Sequence, residues 1–179
     1  MISVGIDAST ATGIVGLQPN RVTPAYEREI VFKDLTGYRR SKALAEAVVE
    51  TMTEIKTQYP DVIVIEDYAL GPNPKTIITV IEIGTLIRHY VLTQFPKIPV
   101  WLTKPASLKK FATDKGAAKK GDMIAAVAGK GWAPPTDNVA DAYLLATMGL
   151  ALTGKIPNLT ASQRECIGLA RLLQPRGGV

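Results

Sequence analysis

The stretch that decides the fold is ISVGIDASTATGIVGL, residues 2–17. Apolar residues fill both of its ends, whereas small and hydroxyl-bearing residues occupy 8–12. The pattern therefore predicts two strands, 2–7 and 13–18, joined by a short turn. Asp7 closes the first strand, directly after residues that read as core. Because a buried, unpaired carboxylate costs several kcal/mol, Asp7 requires a cationic partner, a metal ion or a catalytic role.

The rest of the chain alternates helices and strands. A strand at 28–32 would complete a three-strand meander, and the apolar run from Asp61 to Glu66 is typical of a strand buried on both faces in a parallel sheet. A further strand is predicted at 98–102, and helices are predicted at 41–59, 76–92, 105–112, 119–129, 136–152 and 160–173. This order predicts an α/β fold, with a mixed sheet that begins as a meander and carries helices on both faces.

Length and composition fit one domain in a reducing compartment. The chain has 179 residues, which suffices for one core; we assign 1–152 to the main part of the domain and 153–179 to a C-terminal helix and tail of the same domain. One cysteine excludes an internal disulfide. Helix 76–92, with Glu82 and Arg88, reads as too short and too polar to cross a membrane. With no basic leader before the first strand, we expect a cytoplasmic protein without a membrane partner.

Positive charge is concentrated in one part of the chain. The net charge is +5, and all of the excess lies between Lys104 and Lys130, a range called the lysine segment below. It holds seven lysines and two aspartates, whereas basic and acidic residues are equal in number elsewhere. Such a block indicates a phosphate-bearing partner. A solvated lysine-rich helix and loop is the alternative that charge alone leaves open.

Acidic residues occur where a parallel sheet gathers its functional groups. Asp7 and Glu66 end two strands that we expect to be neighbours, so their side chains should lie side by side. In the late motif Thr-Asp-Asn-Val-Ala-Asp-Ala-Tyr, both Asp137 and Asn138 have the spacing to share a helix face with Asp141. Converging acids repel one another unless a cation binds, and oxygen ligands suit Mg²⁺ or Mn²⁺. Each acid alone has a plainer interpretation, as a turn residue, an ion-pair member or a helix-terminal acid.

These motifs resemble those of the RuvC family of Holliday-junction resolvases, which have the ribonuclease-H-like fold. The resemblance rests on Gly5-Ile6-Asp7 with Thr12-Gly13, on Ile65-Glu66 and on the late acidic helix. In addition, Lys109 and Lys120 match two lysines of the family that are important for cleavage. The resemblance covers residues from 2 to about 152 and looks more like the bacteriophage-type branch than the bacterial one.

Three positions depart from the family pattern. Ala8-Ser9 stands where the bacterial pattern usually has Pro-Gly. The family's third acid lies three residues before the last, where this chain has Asn138, whereas Asp137 lies four before. The third metal ligand is therefore Asp137, Asn138 or both. Tyr68 lies near the place of the family's base-stacking aromatic residue, at a different offset.

The resemblance implies a crossover-junction endodeoxyribonuclease. Such an enzyme makes paired, metal-dependent nicks in four-way junctions, leaves 5′-phosphate and 3′-hydroxyl ends, and uses two Mg²⁺ ions per site, for which Mn²⁺ substitutes. The implied metal ligands are Asp7, Glu66, Asp137, Asn138 and Asp141. The implied catalytic residues are Asp7, Glu66, Asp137, Asp141, Lys120 and Lys109. The implied DNA-binding residues are Lys104, Lys109, Lys110, Lys115, Lys119, Lys120 and Tyr68.

A two-fold junction also implies a homodimer. Helix 76–92 is the predicted seam, because its apolar residues cover more than one face. The apolar residues that together exceed one face are Ile77, Ile78, Val80, Ile81, Ile83, Leu86 and Ile87. The alternative is a fully buried core helix. If the source is a phage, the expected location is the host cytoplasm.

Other functions share parts of these motifs. Another ribonuclease-H-like nuclease, acting on RNA–DNA hybrids or branched DNA, would keep the same acids, although the lysines around Gly116 favour a resolvase. A non-catalytic junction-binding module would not need the acids. Actin-like sugar kinases also open with Gly-Ile-Asp, but they need a longer chain and glycine-rich phosphate loops. Cleavage of a four-way junction, a hybrid and a plain duplex, with and without Mg²⁺, would discriminate among these functions.

Overall fold

The computed structural model describes residues 1–54, 59–68 and 73–173. Its strands are β1 (Ser3–Asp7), β2 (Ala11–Leu17), β3 (Tyr26–Val31), β4 (Val62–Glu66), β5 (Val100–Thr103) and β6 (Arg171–Leu172). Its helices are α1 (Gly37–Glu54), α2 (Pro74–Gln94), α3 (Pro105–Thr113), α4 (Lys120–Ala128), α5 (Asp137–Leu152) and α6 (Ala161–Gly168).

The strands form one mixed sheet in the order β3-β2-β1-β4-β5-β6. The first three pair antiparallel as a meander, whereas β4 is parallel to β1 and β5 is parallel to β4. Helices cover both faces. The α/β class predicted from the sequence is therefore confirmed.

Alternation along β1 separates the two faces of the sheet. Ile2, Val4 and Ile6 are buried in the core that α1 and α2 cover. Gly5 and Asp7 point to the opposite face because successive side chains alternate. That face is covered by α5, with α3, α4 and α6 around it. Asp7 therefore lies under α5, at the end of its strand.

Helix α5 packs very close to the sheet because glycines leave room for its backbone. A Cβ on Gly5 would lie 2.0 Å from the carbonyl oxygen of Ala142, and a Cβ on Gly13 would lie 2.1 Å from that of Asn138. Gly13 is also the register partner of Asp7. The first turns of α5 are thus held against the part of the sheet where Asp7 lies.

The C-terminal prediction is partly wrong. Thr160 caps α6 as predicted, since its hydroxyl accepts a hydrogen bond from the Gln163 amide. The helix ends at Gly168, however, and Arg171–Leu172 forms β6 against β5. The extended backbone satisfies groups of β5 that a continued helix would leave without partners.

Other boundaries differ by a few residues. Helix α1 begins at Gly37 rather than Ser41. The part of that prediction at 55–58 lies outside the described residues, as does the tail at 174–179, and Tyr59 is not helical.

Helix α2 divides between core and surface. Ile83, Ile87 and Val91 are buried in the core beside α1, whereas Ile78 is 66% exposed and Ile81 is 38% exposed. Ile83 and Ile87 therefore belong to the core, whereas Ile78 and Ile81 are apolar residues that the core does not bury, and a dimer seam on this helix stays a prediction.

The predicted length of this helix is also wrong. It has 21 residues and, by length and composition alone, is the one helix in the described ranges that could cross a membrane. Core helices of globular proteins pass the same test, and α2 contributes a buried face to this core.

Candidate active site

Two carboxyl groups meet at the end of parallel strands. Ile6 is the register partner of Ile65, and the next residue of each strand is Asp7 in β1 and Glu66 in β4. Their carboxyl groups lie within hydrogen-bonding range of each other, and each influences the pKa of the other. The two acids therefore lie side by side, as the strand-end argument expected.

Asp141 approaches this pair from α5. Its charge acts on both Asp7 and Glu66, and its Oδ1 atom is buried without a hydrogen-bond partner. The approach depends on the helix backbone at Ala142, which lies against Gly5. We call Asp7, Glu66 and Asp141 the acidic cluster.

Burial and mutual repulsion raise the pKa values of the acidic cluster. At Asp7, burial is the largest cause and the charges of Glu66 and Asp141 follow, so its pKa is well above the usual value. Burial and the charge of Asp141 raise the pKa of Glu66 to about 7. Burial and the charge of Asp137 raise the pKa of Asp141 to about 6. The cluster thus favours binding either protons or a cation.

Asp137 faces a lysine at the rim of this cluster. It forms an ion pair with the ammonium group of Lys120. The hydrogen bond from Lys120 lowers the pKa of Asp137, and the same bond raises the pKa of Lys120. The charges of Asp141 and Asp7 contribute to the raised pKa of Lys120, which is thus electrostatically linked to the cluster.

Asn138 contacts a different acid. Its Nδ2 atom donates a hydrogen bond of 2.7 Å to Oε1 of Glu29. Glu29 is the register partner of Gly13, which in turn is the partner of Asp7, so the three residues form a row across β3, β2 and β1. Sequence reasoning missed Glu29 because 109 residues separate it from Asn138 and because it lies in a charged edge strand.

Lys109 also acts on the acidic cluster. Its positive charge lowers the pKa values of Glu66 and Asp141, against the larger effect of burial. The two lysines matched to the family's cleavage motif, Lys109 and Lys120, therefore both lie near the predicted acids. The lysines come from different helices, α3 and α4.

The remaining predicted DNA-binding lysines lie around these two. Lys110 forms an ion pair of 2.8 Å with Glu165 on α6. Lys104 precedes α3, Lys119 precedes α4, and Lys115 lies in the loop between those helices. Lys104, Lys115 and Lys119 are exposed.

Tyr68 packs on α2. The guanidinium carbon of Arg88 lies 3.9 Å from the ring centroid, and the tyrosine hydroxyl is 2.8 Å from Oγ1 of Thr85. The ring also fills the space beside Gly84, where a Cβ would lie 2.8 Å from it. One ring face is thus covered by Arg88, and stacking of Tyr68 on DNA bases stays a prediction.

Thr103 is a second residue that sequence reasoning missed. It is the register partner of Glu66 in the β4–β5 pair, and its hydroxyl oxygen is buried without a hydrogen-bond partner. The available signal was the one used for Glu66, because Thr103 is a polar residue at the end of a strand. It adds a further oxygen to the α5 face of the sheet.

The carboxylate oxygens of the acidic cluster are the candidate ligands for a cation. In the ranges that the structure describes, no group of three or more His, Cys, Asp or Glu side chains is arranged to hold a metal ion as it stands. The carboxyl groups of Asp7 and Glu66 lie within hydrogen-bonding range of each other, and Asp137 forms an ion pair with Lys120. The donors nevertheless fit a hard divalent cation, because Oδ1 of Asp141 is buried without a partner and a cation would relieve the repulsion among the acids.

Comparison with known proteins gives structural neighbours. No protein-family model and no curated protein matches the chain. RuvC of Thermus thermophilus, in a structure with a Holliday junction substrate, superposes with a TM-score of 0.70 and 18% identity, covering 97% of this chain and 99% of that one. A second RuvC structure from Thermus thermophilus has a TM-score of 0.68 and 18% identity, covering 97% of this chain and all of that one. The chain therefore shares the RuvC fold over nearly its whole length, which confirms the predicted ribonuclease-H-like architecture.

Proposed function

We propose that this chain is a structure-selective DNA endonuclease that resolves four-way junctions by paired, metal-dependent nicks. One observation carries the proposal: Asp7, which is buried, forms an acidic cluster with the half-buried Glu66 and Asp141, and two lysines act on this cluster. Support also comes from the fold, which is shared with a RuvC solved with a Holliday junction substrate.

The acidic cluster is the proposed place for two Mg²⁺ ions, or Mn²⁺ in their place. Asp7 is central because the charges of both Glu66 and Asp141 act on it. Bound cations would supply an activated water and offset charge on the scissile phosphate. Asp137 or Asn138 would complete the ligand set after leaving its present partner, Lys120 or Glu29.

The proposed reaction is hydrolysis of a phosphodiester bond. A bond forms between a water oxygen and phosphorus, and the bond from phosphorus to O3′ breaks, which leaves a 5′-phosphate and a 3′-hydroxyl end. Lys109 and Lys120 would place positive charge beside the phosphate, where charge develops in the transition state. Lys104, Lys115 and Lys119 would contact the DNA backbone, which positions the junction without reading sequence.

A matched set of substrates tests this function. A synthetic four-way junction, an RNA–DNA hybrid and a linear duplex should each be incubated with and without Mg²⁺. We expect the wild type to cleave the four-way junction but neither of the other substrates, and to do so only when Mg²⁺ is present. The Asp7→Asn variant should cleave none of the three. Cleavage of the hybrid instead would favour a ribonuclease-H-like activity, and junction binding without cleavage would favour a non-catalytic module.

The proposed enzyme acts as a homodimer, because a four-way junction has near two-fold symmetry and so offers two equivalent places for a nick. The exposed apolar side chains Ile78 and Ile81 on α2 support a seam there. Ile78→Asp should shift the protein to a monomer in sedimentation and convert paired nicks into single nicks. Leu169→Asp is the matched control, since Leu169 is also 66% exposed, and it should leave the dimer intact.

A further inference from the structure

A buried arginine lies behind the acidic cluster. Arg88 of α2 is 8% exposed, which is rare for a charged residue without a specific partner. Its Nη2 atom donates a hydrogen bond of 2.8 Å to Oδ1 of Asp67 and lies 3.5 Å from the carbonyl oxygen of Glu66. The two contacts fall on Glu66, which ends β4, and on Asp67, which follows it.

Asp67 fixes the chain directly after Glu66. Its amide donates to the carbonyl oxygen of Thr103 at 2.7 Å, which continues the pairing of β4 with β5. Its Oδ1 atom accepts from the Tyr68 amide at 2.9 Å in addition to Arg88. The carboxylate therefore joins residues 67–68 to α2, which packs on the other face of the sheet.

Contacts between Tyr68 and α2 also hold Arg88 and Tyr68 in place. The Arg88 guanidinium stacks on the Tyr68 ring, and the tyrosine hydroxyl bonds with Thr85 one turn earlier in α2. Nε of Arg88 is buried without a partner. Because a buried arginine loses hydration that its partners must replace, these contacts hold the guanidinium in one position.

We propose that Arg88 is a positioning residue that sets the placement of the Glu66 carboxylate through Asp67 and Tyr68. This inference rests on the proposed function, since it assigns Glu66 a role as metal ligand. Partners behind a ligand orient it, and their loss typically costs about 10–100-fold in metal affinity or activity. Arg88 itself does not touch the reacting atoms.

The test compares Arg88→Met and Arg88→Lys with wild type in two measurements. The first is the rise in melting temperature with added Mn²⁺, which reports metal affinity without catalysis. The second is single-turnover junction cleavage as a function of Mn²⁺, with junction affinity measured separately in EDTA. We expect Arg88→Met to need at least about tenfold more Mn²⁺ in both measurements while binding the junction normally. Arg88→Lys keeps a donor to Asp67 and should recover part of the loss.

Arg171→Ala provides the control. Arg171 lies 4.0 Å from the other oxygen of Asp67 and its side chain is 65% exposed, so its loss should change the Mn²⁺ requirement by less than about twofold. If Arg88→Met fails to fold, Arg88→Lys and Asp67→Ala decide the question, since both should raise the Mn²⁺ requirement.

Wild-type Mn²⁺ affinity and cleavage in the folded Arg88 variants, or in Asp67→Ala, would overturn the proposal. Absence of cleavage by the wild type would instead count against the proposed function. The melting measurement would still report in that case whether Arg88 influences metal binding.

Discussion

The backbone carbonyl of Asn138 lies directly over Gly13, where a Cβ would come within 2.1 Å of it. Gly13 is the register partner of Asp7. The helix that carries Asp141 is therefore seated on a position beside Asp7 that has no side chain. The distance between Asp141 and Asp7 therefore depends on Gly13, although Gly13 has no side chain that could take part in catalysis.

Gly13→Ala should separate α5 from the sheet. The added methyl group meets backbone rather than a flexible side chain, so we expect a loss of about 1–3 kcal/mol in the free energy of unfolding. We also expect at least a tenfold loss of cleavage at saturating Mg²⁺. Gly121→Ala is the control, because a Cβ there meets nothing within 4 Å and alanine favours a helix. Denaturant unfolding and single-turnover cleavage would measure both effects, and an unchanged Gly13→Ala variant would contradict the packing argument.

Asp7→Asn should keep the fold and junction binding but lose cleavage. Loss of the central carboxylate should reduce the rate on the order of 10³-fold or more. Because the substitution also removes a charge that repels Glu66 and Asp141, it should raise the melting temperature in EDTA at about pH 8. Near-normal cleavage by the folded variant would refute a metal site at Asp7.

The stability of the metal-free protein should fall as pH rises from about 5 to 8. The folded pKa of Glu66 is about 7 and that of Asp141 about 6, above the values near 4 of an unfolded chain. The folded state therefore holds more protons in this range, and deprotonation favours unfolding. Asp67 and Asp137 have lowered pKa values. Their ionised forms stabilise the folded state, and this stabilisation is lost only at lower pH, outside this range.

Thermal unfolding in EDTA across this range checks the sign. Glu66→Gln should flatten the dependence, since it removes one of the raised groups. A wild-type melting temperature that increases toward about pH 8 would show that the pKa values of these acids are not raised in the folded protein.

Single substitutions can show whether Asp137 or Asn138 is the third metal ligand. If Asp137 moves from Lys120 to a cation, Asp137→Ala should reduce cleavage strongly and Asn138→Ala should reduce it less. Asn138→Ala would also remove the bond to Glu29, and Glu29→Gln serves as its matched control. A loss of cleavage in Asn138→Ala alone would assign the third ligand to the amide. No effect of either, together with an inactive Asp141→Asn, would leave the three acids of the cluster as the whole set.

The lysines should divide into two classes. Lys115→Ala and Lys119→Ala should weaken junction binding and change the slope of log K against log salt by roughly 0.9 each, with little effect on cleavage of bound junction. Lys120→Ala, and to a smaller degree Lys109→Ala, should bind nearly normally but cleave slowly, because their charges meet charge that grows in the transition state. Single-turnover assays with enzyme in excess separate the two effects, and equal losses in all four variants would contradict the division.

The sequence was most informative where local patterns determine placement. The continuous apolar run before Glu66 indicated a parallel strand. Together with the expectation that this strand neighbours the first, it predicted that Glu66 lies beside Asp7. Pairings between distant elements could not be read in the same way. No local pattern predicts that Glu29 contacts Asn138. The capping box at Thr160 correctly predicted where a helix begins, but no pattern near it predicted that Arg171–Leu172 would pair with β5 as a strand.

The placement of β6 has a consequence for solubility. A sheet of this kind has two borders, and an open border can recruit a strand from another chain and so begin aggregation. On one side β6 occupies the border next to β5. On the other side β3 carries the charged sequence Glu27-Arg28-Glu29, which discourages strand addition. Strand β6 thus covers the edge of β5, and a shortened chain ending before Arg171 would leave β5 as an uncharged, open edge that favours strand addition from another chain.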